Sequence, residues 1–230
     1  LYPKEQGVRG KEGLRVEHLQ SEGVLHDVSF TAYHGEILGF AGLVGAGRTE
    51  TMRAIFGADP LDGGKIFVDG EEVTIKNPTD AIAKKIAFLT EDRKGQGLVL
   101  SQSVKTNLIM SSMKRFRKGG LFDFKEIDRV SSDNIKKLRI KTPTSEEVVA
   151  QLSGGNQQKV VIGKWLNSDC EIFIFDEPTR GIDVGAKIEV YNVMNELVKQ
   201  GKCIIMISSE LPEVLAMSDR GIVMREGRVT

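Results

Sequence analysis

Three groups of residues in this chain have types and spacings suited to handling phosphate. In Leu152-Ser153-Gly154-Gly155-Asn156-Gln157-Gln158-Lys159, a serine precedes two glycines at the mouth of an amphipathic helix. Ser153 has the chemistry of an N-cap, and the glycines let an anion approach the first backbone amides. Gly42-Leu43-Val44-Gly45-Ala46-Gly47-Arg48-Thr49 fits the phosphate-loop spacing G-x-x-x-x-G-K-[ST], with arginine where lysine is expected. A dinucleotide reading of the same glycines fails, because Glu50 falls where G-x-G-x-x-G needs its third glycine. In the third group, Asp176-Glu177, the aspartate could hold Mg²⁺ directly or through water. Its neighbour could orient or deprotonate an attacking water, and phosphoryl transfer needs metal, positioning and a base. Each group alone has an ordinary explanation, as a capped helix, a glycine-rich turn or a solvated acidic pair. Their presence together favours nucleotide chemistry.

Such chemistry needs elements to aim it. Residues 37–41 form an apolar run of strand length that feeds the glycine loop, and residues 51–56 continue as a helix. Ile172-Phe173-Ile174-Phe175 has the pattern of a parallel strand buried on both faces, which places Asp176-Glu177 at its carboxyl end, where ligands of open α/β sheets collect. Residues 203–207 read as another buried strand, ending in Ser208-Ser209-Glu210, and residues 86–90 are strand-like and end at Glu91. Val161, Ile162, Trp165 and Leu166 give the helix after Ser153 its apolar side. Alternating patterns over 14–19, 28–33 and 65–75, with Asp69-Gly70 as a hairpin turn, predict a small antiparallel subdomain. From 103 to 141 the pattern turns helical and charged, with Ser103 as a cap and the basic stretch 114–118 as a solvated helix end. Residues 186–200 form a further helix, with Ile188, Tyr191, Met194, Leu197 and Val198 on one side and Gly201 ending it. Residues 1–13, with Pro3, Gly7, Gly10 and Gly13, read as a linker. Leu1, which is no initiator residue, and an ending on Arg228-Val229-Thr230 like a strand just begun suggest a fragment of a longer polypeptide.

Composition narrows the classes. The 230 residues carry 32 basic and 32 acidic side chains, so bulk binding to nucleic acid or adsorption to an anionic membrane is not expected. No apolar stretch approaches the roughly 18 residues that span a bilayer. Two cysteines, Cys170 and Cys203, have no metal-ligand spacing and suit a reducing compartment.

The motifs, their order and their spacing resemble the nucleotide-binding domain of an ATP-binding-cassette (ABC) transporter, over nearly the whole chain. The resemblance implies an α/β P-loop fold with a RecA-like, mainly parallel sheet, a small antiparallel β subdomain and a helical subdomain at about 100–165, the cassette spanning 14–230. It implies ATP and Mg²⁺ as ligands. Residue by residue, Gly42, Gly45, Ala46, Gly47, Arg48, Thr49 and Glu50 match the Walker A loop and its edge, and Ser153, Gly154, Gly155 and Gln157 the family signature. Asp176 and Glu177 match Walker B with its catalytic glutamate, Asp183 the D-loop, Glu91 the Q-loop position and Ser209 the switch position; Thr49, Asp176 and Glu91 are the implied metal contacts. Glu91-Asp92-Arg93-Lys94 and Asp176-Glu177-Pro178-Thr179-Arg180-Gly181 narrow the resemblance to the C-terminal half of tandem ATPase subunits that drive bacterial ribose-, galactose- and xylose-type importers.

That family implies a second ABC ATPase domain in the same polypeptide, transmembrane permease subunits, a periplasmic sugar-binding protein acting indirectly, and a peripheral place on the cytoplasmic side of the membrane. Three departures stand out: Arg48 for lysine, Glu91 for glutamine and Ser209 for histidine, since His18, His26 and His34 all precede the glycine loop. Residues 19–25 also offer no aromatic ring to stack on an adenine. The expectation is a degenerate site of its own and a sound signature face that serves the partner's site. The alternatives are a non-hydrolytic regulatory module and a non-transport ABC ATPase.

Overall fold

The computed structural model describes residues 2–230. Strands β1 (Glu12–Ser21) and β2 (Leu25–Tyr33) pair antiparallel and bury alternate residues, among them Leu14, Val16, Val28 and Phe30. β3 (Ile37–Ala41) is buried at every position and passes through the glycine loop into α1 (Arg48–Ile55), which begins earlier than residue 51. β4 (Gly63–Val68) and β5 (Glu71–Val73) turn at Asp69-Gly70, where φ values of 49° and 85° are those a tight hairpin demands. Helix α2 (Pro78–Ala83) is capped by Asn77, whose side chain accepts from the Asp80 amide at 3.0 Å. β6 (Ile86–Leu89) follows.

Ser103 caps α3 (Val104–Ile109) as expected, accepting from the Thr106 amide at 3.1 Å. The basic stretch 114–118 begins as the solvated helix end expected, with Lys114 and Arg115 exposed, but does not stop there. It ends a 3₁₀ turn and runs into a hairpin of β7 (Arg117–Lys118) and β8 (Leu121–Phe122), because Gly119 and Gly120 take positive φ and reverse the chain. Next come α4 (Phe124–Lys137), α5 (Gly154–Leu166), β9 (Ile172–Asp176), α6 (Val184–Lys199) and β10 (Cys203–Ile207). The chain closes with α7 (Leu211–Met217), β11 (Arg220–Arg225) and β12 (Arg228–Val229).

These elements form two compact units. The first runs to Phe88 and adds Cys170–Pro178 and Tyr191–Thr230. It contains an antiparallel sheet of order β2-β1-β4-β5 and most of a sheet of order β12-β11-β3-β10-β9-β6, in which β11, β3, β10 and β9 run parallel. Register decides what this sheet offers. Ile207 pairs with both Phe40 and Asp176, so β3, β10 and β9 end level and the segments after them emerge at one edge. Residues 2–11 form no strand or helix, yet they lie on this unit. The Glu5 amide donates to Asn195 Oδ1 at 3.3 Å, the Gly10 amide donates to the His34 carbonyl at 2.7 Å, and the Tyr2 ring sits 5.7 Å from that of Tyr191. β1 begins inside the span read as linker.

The second unit comprises Leu89–Asp169 and Thr179–Val190. Its helices α3, α4 and α5 pack together, and Ile109, Phe116, Ile127 and Val130 form a core of their own. Among the described residues, no helix is long and apolar enough to cross a membrane.

Candidate functional site

In the first unit the glycine loop leaves β3 through Gly42, Gly45 and Gly47, with φ of 153°, 82° and 95°. A β-carbon on Gly42 would lie 2.5 Å from the Met224 carbonyl oxygen, so only glycine fits there. Beside Gly45 the space is open, with no heavy atom within 4 Å of where its β-carbon would stand. Ala46 is buried, and its amide closes the loop on the Leu43 carbonyl at 3.0 Å. Gly47 begins α1 without any side-chain cap, leaving the first-turn amides of a positive helix end to an anion. Glu50 lies in that same first turn.

At the level ends of the strands, Thr49 Oγ1 donates to Asp176 Oδ1 at 3.2 Å. Asp176 is 1% exposed, and its other oxygen is buried without a partner. Burial raises this carboxyl from its ordinary 3.8 to about 7; the Thr49 hydrogen bond opposes the rise and the charge of Glu177 adds to it. A hydroxyl beside an orphaned carboxylate oxygen is a hard-oxygen pair that fits Mg²⁺. Among the described residues no cluster of three or more His, Cys, Asp or Glu could hold a metal, so nucleotide and water oxygens would have to complete its shell.

The shift has a consequence for stability. Between about pH 4 and pH 7 the folded chain keeps a proton on Asp176 that the unfolded chain has released, so stability falls as pH rises and levels off above that window. Asp176→Asn removes this slope, of about 1.4 kcal/mol per pH unit at most. In metal-free buffer the melting temperature of Asp176→Asn is expected to gain on the wild type from pH 5 to pH 8. A difference independent of pH contradicts the assignment.

Glu177 takes φ of 48°, in the left-handed region, and its amide donates to the Ile207 carbonyl at 2.9 Å. Strain of this kind persists where surrounding structure over-determines it. Ser209 Oγ donates to Glu177 Oε2 at 3.1 Å, and Arg48 Nη2 stands 3.8 Å from Oε1. Arg48 is buried, and its Nη1 donates to the Ser208 carbonyl at 2.6 Å. The arginine in the lysine position is therefore held by the end of β10 and by Glu177. Water approaching this carboxylate meets Ser209 and Arg48 already there.

In the second unit Ser153 caps α5, its Oγ accepting from the Asn156 amide at 3.4 Å and from Asn156 Nδ2 at 2.8 Å. A β-carbon on Gly155 would come 2.9 Å from that of Ala186, so the starts of α5 and α6 touch. Asp183 caps α6, accepting from the Ala186 amide at 3.0 Å, and this hydrogen bond holds its carboxyl below the usual range. Gln157, expected as a ligand contact, points into the second unit. It is buried, and Nε2 donates to the Val149 carbonyl at 3.2 Å, because its place on the helix turns it into the unit. Glu91, expected at the metal, pairs with Arg180. The structure thus gathers Arg48, Thr49, Asp176, Glu177 and Ser209 in one unit and Glu91, Ser153, Gly154, Gly155, Gln157 and Asp183 in the other. Asn156 and Arg93 lie in motifs quoted from the sequence, but neither has a role of its own there. Asn156 had a signal, an amide side chain at the third position after a serine cap, whereas the placement of Arg93 had none.

A family model described as ABC transporter matches residues 25–180. The ribose import ATP-binding protein RbsA of Oceanobacillus iheyensis is 51% identical over 229 residues, covering 100% of this chain and 46% of that protein. A protein of Albidiferax ferrireducens, named for ribose/galactose/methyl galactoside import, is 55% identical over 218 residues, 94% of this chain and 43% of its own. The chain spans about half the length of the curated relatives it matches. An ATP-binding cassette of an ABC transporter in its ADP conformation superposes with a TM-score of 0.79 at 21% identity, over 96% of this chain and 90% of that one. This chain belongs to the ABC transporter family and has the fold of its ATP-binding cassettes.

Proposed function

We propose that this chain is one ATPase domain of a sugar importer, binding Mg-ATP and coupling its hydrolysis to transport, with a degenerate site of its own and a signature face that completes the partner's site. The observation that carries the reading is the meeting of Thr49, Asp176 and Glu177 beside an uncapped helix start and a glycine loop. Thr49 and Asp176 would hold Mg²⁺, which would supply charge to neutralise phosphate oxygens. The amides of the loop and of α1 bind and orient the phosphates, and Glu177 takes the proton of the attacking water. Curated relatives about twice as long support a second ATPase domain in the same polypeptide. Their import names support permease subunits in the membrane, a periplasmic sugar-binding protein acting through them, and a place for this domain on the cytoplasmic side. Charge balance favours no nucleic-acid partner.

The degeneracy reading rests on Arg48, anchored to Ser208 and facing Glu177, and on Ser209 in the histidine position. The same contacts favour a second reading, in which the domain binds nucleotide without hydrolysing it and only regulates the partner's site. Replacing each site's glutamate by glutamine in the full-length chain separates the two. Glu177→Gln is expected to lower total turnover less than the matching change in the partner does. No loss from Glu177→Gln would favour the regulatory reading, and a greater loss than from the partner's change would place the main active site in this domain and overturn the degenerate-site reading.

A further inference from the structure

The segment Glu91-Asp92-Arg93-Lys94 is not used by the chemistry above, yet it is tied at both ends to its surroundings in the second unit. Asp92 closes it, Oδ1 accepting from the Gly95 amide at 2.9 Å. Its far end is fixed on α5, where Lys164 Nζ donates to the Gly97 carbonyl at 2.6 Å. Its near end grips the turn before α6 twice. The Glu91 carboxylate pairs with the Arg180 side chain, and Arg93 Nη1 donates to the Arg180 carbonyl at 3.0 Å. The other arm of the same guanidinium covers the start of α5. A β-carbon on Gly154 would lie 2.8 Å from Arg93 Nη2 and 3.3 Å from the Gly181 carbonyl oxygen.

Arg93 is half-buried, its Nε has no hydrogen-bond partner, and no carboxylate pairs with it among the described residues. Burying the Nε without a partner has a desolvation cost that no carboxylate offsets. We propose that Arg93 is a positioning residue for the nucleotide site that α5 completes, clamping the Arg180-Gly181 turn onto Gly154 so that the signature amides and Asp183 form one rigid face. This rests on the reading of α5 as a signature face. The planar fork is what makes the clamp, since it reaches two places at a fixed angle where an ammonium offers a single point.

The test uses the full-length chain carrying Glu177→Gln, so that turnover reports the partner's site. Arg93→Lys keeps the charge and loses the fork. It is expected to lower kcat about 10-fold or more, misplacement by about 1 Å being worth up to about 10²-fold, while KM for ATP stays within about 2-fold. Gly154→Ala attacks the same contact from the other side and is expected to act alike. The two together should be no worse than the worse one alone, because each removes the same clamp. An unchanged kcat in Arg93→Lys, multiplicative effects in the double variant, or a loss that merely tracks the fraction of folded protein would each overturn the clamp. A harmless Gly154→Asp would instead overturn the signature reading itself, and the role of Arg93 with it.

Discussion

Gly154→Asp in the full-length chain is expected to cut ATP turnover at the partner's site by about 10²- to 10³-fold, the range seen when one donor aimed at developing negative charge is lost. Two physical effects combine. A carboxylate at the first position of α5 opposes a phosphate where the helix amides and dipole should attract it. Its β-carbon would also displace Arg93 Nη2 and press on the Gly181 carbonyl. Gly154→Ala separates these effects, since it disturbs the packing and adds no charge. Its turnover is expected to fall between wild type and Gly154→Asp. Equal losses in the two variants would show that packing accounts for the whole effect and that no phosphate faces this helix.

The isolated 230-residue chain is expected to hydrolyse ATP about 10²- to 10⁴-fold more slowly than the full-length protein, the usual range for a missing positioned acid–base group. Its own P-loop would have no signature opposite, and Ser209 spends its hydroxyl on Glu177 instead of a phosphate. Arg48 likewise points its fork at the Ser208 carbonyl and at Glu177. Steady-state turnover of the purified chain on the order of 1 per second, ordinary for a coupled ATPase, would contradict this expectation.

Much of the framework was legible in the sequence. The buried runs at β3, β9 and β10 could be read because a parallel strand covered on both faces has no polar side to show. Ser103 and Ser153 were legible as caps because the chemistry is local, a hydroxyl accepting from an amide three residues on. The same locality announced the hairpin at Asp69-Gly70. Helix α2 went unread even though Asn77-Pro78 carried a cap and a helix-starting proline, since six residues offer too short a pattern to show a period.

What the sequence determined by itself was the inventory: which side chains have the types and spacings suited to phosphate and metal, and which local elements end beside them. Residue type and short spacing suffice for that. Tertiary structure alone decided how each group is engaged. The level ends of β3, β9 and β10 set Thr49 on Asp176 and leave one carboxylate oxygen buried and unpaired. Arg48 turned inward because the Ser208 carbonyl, 160 residues away, offered an acceptor in the interior. Glu91 met the Arg180 side chain at the surface, 89 residues away, while Gln157 turned inward to the Val149 carbonyl. The partner of a long polar side chain is fixed by which distant backbone or charge the fold brings within reach, and no local pattern encodes that distance.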